Sequence, residues 1–163
     1  MLGKWIGSRI RTIKSHGKRY LTRVYLLDSE AMDVYLHIFH RPDPDRHVHD
    51  HPWEWAASLH LLGHYDEVVA GPVDMNGNVT YTTERRKAGQ FRSFYGSTFH
   101  TIKRISRFIP CVTLFCHGKR VRKWGFWVDE LQKKMDWDEY LVWSGSNTVE
   151  EVEAMKRKFK EEL

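Results

Sequence analysis

The chain has 163 residues, of which 41% are hydrophobic, 13% aromatic and 29% charged, a balance that fits one folded domain and excludes a disordered or fibrous protein. The formal charge is +5, and no run of about 18 apolar residues exists, which excludes a membrane-spanning helix. The start, MLGKWIGSRIRTIKSHGKRY, is basic but has no apolar block leading to a cleavage site, so a cytoplasmic protein is expected. Cys111 and Cys116 are the only cysteines, and on a strand over CVTLFC their sulfurs face opposite ways, so reduced thiols rather than a disulfide follow. Lys4, Arg9, Arg11, Lys14, Lys18, Arg19 and Arg23 form one basic cluster, and Lys119, Arg120, Arg122 and Lys123 another. Without a nucleic-acid motif beside them, they read as solvated surface charge.

Taken in order, residues 1–18 form a basic N-terminal arm or short amphipathic segment with Trp5, Ile6, Ile10 and Ile13. Residues 19–145 supply the β domain. Tyr20–Leu27 and Val34–His40 are rich in β-branched and aromatic residues and flank a turn, so each is a strand. The prolines of RPDPD then break the pattern before the histidine-rich stretch HVHDHPWEWAASLHLLGHYDE. The apolar run Trp55–Leu62 and the run beginning YDEVVAG flank Gly63-His64, which predicts a hairpin with His60 opposite Glu67. Further strands follow in VTYTTERR, in FRSFYGSTFHTIKRI around Gly96, in PCVTLFCHGK and in VRKWGFWV. MDWDEYLVW predicts a short helical turn with Trp137 and Tyr140 packing inward. Only residues 146–163 change period: Thr148 and Glu151 stand at capping-box spacing, and Val152, Met155 and Phe159 make one face of a terminal helix. Many short strands with turn residues between them predict an all-β sandwich or barrel carrying a C-terminal α-helix.

The chemistry concentrates on His47, His49 and His51. In an extended segment alternate side chains share a face, so these imidazoles project together, as metal ligands on a sheet do. A ligand from elsewhere is needed, and His100 in GSTFHTIKR is the candidate, with Ile102 and Arg104 on the same face. Glu67 is either the partner that orients an imidazole or a cross-strand pair on a wet wall. Arg92 and Arg104 are candidates to clamp an anion in the interior, because guanidinium binds carboxylate or phosphate through a pair of donors. His37 and His40 read as core or rim histidines, and Trp53, Trp55, Trp124 and Phe126 as core.

At these residues the sequence resembles the cupin superfamily of small jelly-roll barrels, whose first motif runs His-x-His, then Glu, then Gly, and whose second ends in His. Pairing His47 with His49 places Glu54 at the glutamate position but Leu61 at the glycine. Pairing His49 with His51 places Gly63 at the glycine and Ala56 at the glutamate. The second register is preferred, because a glycine in a tight turn is a backbone requirement. In it the sequence is similar to the cysteine dioxygenases, a cupin branch that lacks the glutamate and holds iron with histidines only. HDHPW and the later WGF also resemble uncharacterised cupin-like proteins of phage and bacterial genomes, from about His37 to Tyr140.

The resemblance implies a single cupin barrel with a divalent metal on His49, His51 and His100, and His47 as a rim or further ligand. Fe(II) is the expected ion, with Zn, Ni, Cu or Mn as the others that such donors accept. It implies a dioxygenase or related metalloenzyme acting on a small polar or anionic molecule, with Arg92, Arg104 and Glu67 serving the chemistry, and homodimers. A non-oxidative cupin, such as a sugar or nucleotide isomerase or a small-molecule binder, is the alternative, and a basic interaction module the other.

Overall fold

The computed structural model describes residues 9–15 and 17–161, the side chains only as far as Arg157. The expectations placed on Lys4, Trp5 and Ile6, and on the side chain of Phe159, lie outside the described residues. The largest sheet contains β1 (Ile10–Ser15), β2 (Lys18–Leu27), β3 (Asp33–Phe39), β4 (Trp55–Leu62), β7 (Phe91–Tyr95) and β9 (Cys111–His117), in the order β1-β2-β3-β9-β4-β7. Facing it are β5 (His64–Val73), β6 (Val79–Lys87) and β8 (His100–Ile105), in the order β6-β5-β8. A ribbon of β10 (Gly125–Val128) and β11 (Lys133–Asp136) leads into α1 (Trp137–Trp143) and α2 (Val149–Glu161). All pairings are antiparallel, and the architecture is the expected all-β jelly roll with a terminal helix. The capping box also forms: Thr148 N–H donates to Glu151 Oε2 at 2.9 Å, and Glu151 N–H donates to Thr148 Oγ1 at 3.3 Å.

The basic segment is part of the fold from Ile10 on, where β1 pairs with β2 through Ile10–Val24 and Arg11–Arg23. The described residues include no helix long and apolar enough to cross a membrane.

Gly63 corrects the sequence reading. It has φ +71°, as a tight turn demands, but β4 and β5 do not pair: the chain crosses there from one sheet to the other. His60 therefore stands opposite Thr113, and Glu67 between Glu84 and Ile102, so the expected His60–Glu67 pair does not exist. A glycine in a hairpin and a glycine at a sheet-switching corner satisfy the same backbone need, and local sequence does not separate them.

The apolar core is divided. Tyr65, Ile102 and Cys111 pack with Phe39 and Ile105 at one place in the barrel. Phe126, Val128, Met135 and Tyr140 pack with Trp124, Trp137 and Leu141 where the ribbon meets α1. Between them, many residues withdrawn from solvent are polar: His37, Ser58, His60, Glu67, His100, Thr113 and His117 are all below 9% exposed. Cys111 belongs to the first cluster, and Cys116 lies on the other face of β9, so both thiols are free as expected. Burial pushes the Cys111 thiol up to about 12, which makes it inert as a nucleophile.

Gly63→Ala is expected to destabilise the fold by about 2 kcal/mol or more. A Cβ there would meet the Pro110 carbonyl oxygen at 2.6 Å while holding φ at +71°. Urea denaturation of the wild type and the variant checks this, and equal midpoints would contradict it.

Candidate metal centre

His49, His51 and His100 converge: one ligand nitrogen from each lies within 4.8 Å of the others. Among the described residues this is the one cluster of potential metal ligands. The segment carrying His49 and His51 is extended and wedged between β8 and β10. His49 exchanges backbone hydrogen bonds with His100, N to O at 2.9 Å in each direction, while Asp50 N–H donates to the Gly125 carbonyl at 3.0 Å and Trp127 N–H to the Val48 carbonyl at 2.9 Å. This pairing places His49 beside His100 in space.

The alternation that aims His49 and His51 inward aims Asp50 the other way. Asp50 is 2% exposed and accepts from Gly125 N–H at 2.7 Å and from Lys134 Nζ at 2.8 Å. Arg122 completes the anchor, its Nε donating to the His51 carbonyl at 3.0 Å and its Nη2 standing 3.6 Å from Asp50 Oδ2. Asp50 and Arg122 thus fix the backbone from which the imidazoles hang. The middle residue of His-Asp-His was the available signal for Asp50. Arg122 had been read as solvated surface charge, which the structure corrects.

Glu67 supplies the electrostatic support. Its side chain is 0% exposed, and its Oε1 accepts from His100 Nδ1–H at 2.6 Å and from Arg92 Nη1. Oε2 accepts from Arg86 Nε at 3.1 Å. Of the roles expected for Glu67, orienting an imidazole is the one observed, and the imidazole is His100. With the proton of His100 held on Nδ1, its Nε2 presents a lone pair, and that atom lies 2.7 Å from His51 Nε2. Nitrogens on adjacent positions of one ion at ordinary bond lengths sit about 3 Å apart, so the facing Nε2 atoms suit a shared cation.

The other expected residues separate. His47 is turned away: its Nε2–H donates to Glu130 Oε2 at 2.8 Å and its Nδ1 lies 3.0 Å from the Tyr140 hydroxyl, so both ring nitrogens are engaged outside the cluster. Arg104 is exposed. A bulge leaves Lys103 without a strand partner between the pairs Asp66–Arg104 and Glu67–Ile102, so the alternation is interrupted there and Arg104 does not share the inward face of Ile102. Arg92 does face inward but is committed to Glu67. Ala56, at the glutamate position of the preferred register, is 0% exposed and offers no ligand. His40 is a rim residue bonded through Nε2 to Thr22 Oγ1 at 2.8 Å.

Aromatic rings wall the cluster. Trp53 stacks on His51 with centroids 4.7 Å apart, Phe94 lies 5.2 Å from the His100 ring, and Phe126 lies 5.8 Å from His49. His49 also borders a cleft of about 480 Å³ that includes Tyr20, Asp43, Trp124 and Asn147. Burial holds His49 and His100 down to about 4, and holds His51 well below its ordinary range. Neutral imidazoles are what a metal requires.

No family model matches the sequence, and no curated protein does. Solved structures do match in shape. FeII HppE in complex with substrate aligns at 11% identity and TM-score 0.51, over 69% of this chain and 57% of that one. A mannose-6-phosphate isomerase-like protein from Ralstonia eutropha JMP134 aligns at 14% identity and TM-score 0.49, over 61% and 84% of the respective chains. A conserved double-stranded β-helix protein from Klebsiella pneumoniae aligns at 20% identity and TM-score 0.45, over 74% and 92%. The chain thus spans little more than half the length of HppE. What the chain shares with HppE is the fold.

His37, His49, His51, His60, His100 and His117 are all shifted downward, each first by burial. The unfolded chain takes up protons on these groups below about pH 6.5, whereas His49, His60 and His100 resist protonation in the fold until about 4. Stability of the chelated protein is therefore full above that range and lost as pH falls toward 4. Urea midpoints measured from pH 7.5 down to 5 are expected to hold to about pH 6.5 and to fall below it, and a flat profile would contradict the burial of neutral histidines.

Proposed function

We propose that the protein is a metal-dependent cupin enzyme of the Fe(II) dioxygenase type, acting on a small polar or anionic molecule, with His49, His51 and His100 as the ligands. The observation that carries the reading is the meeting of these neutral imidazoles, with His100 giving its Nδ1–H to the sealed carboxylate of Glu67. Three protein ligands leave coordination positions for a substrate. Fe(II) in HppE, which shares the fold, supports iron over Zn, Ni or Mn. Bound here, such an ion would supply Lewis acidity and one-electron redox chemistry.

The chain's own residues prepare the site. Glu67 fixes the tautomer of His100, and Arg86 and Arg92 keep Glu67 ionised and immobile. Trp53, Phe94 and Phe126 shield the ligands and reduce access of bulk water. A non-oxidative cupin would use the same histidines for proton transfer. The N–H of His100 is committed to Glu67 and its Nε2 faces His51 Nε2, an arrangement that favours ligation over proton transfer.

Protein purified without oxygen is expected to contain about one metal ion per chain, with iron in excess over zinc. His51→Ala should lose most of it, and unchanged metal content in that variant would sink the assignment. Glu67→Gln should keep the ligands but bind metal about 10- to 100-fold more weakly. Equal metal affinity by competition with a chelator would remove Glu67 from the support of His100.

A further inference from the structure

Among the described residues several buried side-chain nitrogens of the interior have no hydrogen-bond partner. Arg86 and Arg92 share Glu67, and Arg86 also reaches Glu84 at 2.5 Å. Arg23, assigned by sequence to the solvated basic cluster, instead faces inward from β2, where burial lowers its pKa. Among the described residues no carboxylate pairs with it. Its Nε has no hydrogen-bond partner, and its guanidinium lies 5.3 Å over the Tyr35 ring. The hydroxyl of Tyr35 is already given to Asp33, at 2.7 Å.

Directly across the β2–β3 pairing stands His37, 4% exposed, whose Nε2 also has no partner. Phe115 stacks on His37 at 4.8 Å and meets the Trp53 ring at 5.5 Å. Trp53 is 6% exposed, and its Nε1–H is another orphan. Because Trp53 lies flat on His51, this group of donors adjoins a proposed metal ligand. A buried donor left without an acceptor costs about 1–3 kcal/mol, and more when charged. Groups of this kind call for an explanation, and a bound ion is one that supplies the missing acceptors.

We propose that Arg23, with His37 and Trp53, is the seat for an oxyanion group of the substrate, a carboxylate or phosphonate, on the His51 side of the site. This deepens the enzyme reading and rests on its premise that a small molecule enters the barrel. Arg23 offers a planar fork, Trp53 one N–H, and His37 a second in its Nε2–H tautomer. A divalent ion on neutral histidines would add positive charge nearby, so an anionic group balances the interior where a neutral substrate would leave Arg23 unpaired. Arg23 thus takes the clamping role that the sequence assigned to Arg92 and Arg104.

The test is calorimetric titration of the chelated full-length protein with acetate and with inorganic phosphate, in wild type, Arg23→Met and His37→Phe. Wild type should bind at least one probe saturably, and Arg23→Met should weaken that binding roughly tenfold or more. In anion-free buffer Arg23→Met should melt no lower than wild type, because an uncompensated buried charge has gone. His37→Phe keeps a ring against Phe115, guards against a misfolded Arg23 variant, and should weaken binding several-fold.

Equal titrations in wild type and both variants, or no saturable heat with either probe, would overturn the seat. A lower melting point for Arg23→Met with no anion response in wild type would make Arg23 structural instead. Metal content of the same preparations separates the readings. Anion binding by a protein that purifies without metal defeats the metal assignment alone, and a full metal complement without anion binding defeats the seat alone.

Discussion

A carboxylate withdrawn completely from water is the constraint around which the site is built. Glu67 is 0% exposed, and an ion so placed is tolerable only when its oxygens are filled by donors. Its partners come from separate strands: Arg86 from β6, Arg92 from β7 and His100 from β8. Because β7 belongs to the larger sheet and the others to the smaller, the ion cluster ties the sheets together across the interior. Apolar residues of similar volume would stabilise such a place at least as well. The charge is better explained by what it does to His100, whose ring it orients and whose Nε2 it leaves free.

Backbone contacts set His49 and His51 with comparable precision. Gly96 lies against the Trp53 carbonyl so closely that a Cβ would overlap it, and His51 N–H donates to the Gly96 carbonyl at 2.8 Å. The His49–Asp50–His51 segment is thus held by Gly96 on one side and by the bonds of Asp50 to Gly125 and Lys134 on the other. A short irregular segment becomes a rigid mount because the Asp50 carboxylate and most of the segment's backbone groups have fixed partners.

Much of this was legible in the sequence, and the misses have physical causes. Alternating β-branched and aromatic runs located most strands, and the period change at Thr148 located the terminal helix. His49, His51 and His100 could be grouped through motif spacing, although nothing local shows that β8 and the histidine segment pair. Directions were harder. His47 keeps the period of two but its ring is taken by Glu130 and Tyr140, and the unpaired Lys103 reverses the expected face of Arg104. Arg23 sits in a sequence rich in lysine and arginine, and composition cannot reveal that one cation of a basic run points inward. Glu67 meets His100 rather than the His60 that a hairpin at Gly63 would set opposite it, because Gly63 is a corner between the sheets.

A barrel whose interior holds histidines, arginines and a glutamate beside its Tyr65–Ile102–Cys111 cluster draws only part of its stability from that interior, and more apolar packing lies outside it. The ribbon and α1 provide it. Phe126 stacks on Tyr140 with centroids 3.8 Å apart, and Val128 and Met135 close the same cluster. This packing is not remote from the ligands, since Phe126 forms a backbone bridge with His49 and its ring lies 5.8 Å from that imidazole. The elements that follow the barrel strands therefore act as a buttress behind His49. They let the interior remain polar without leaving the wall that carries His49 unsupported.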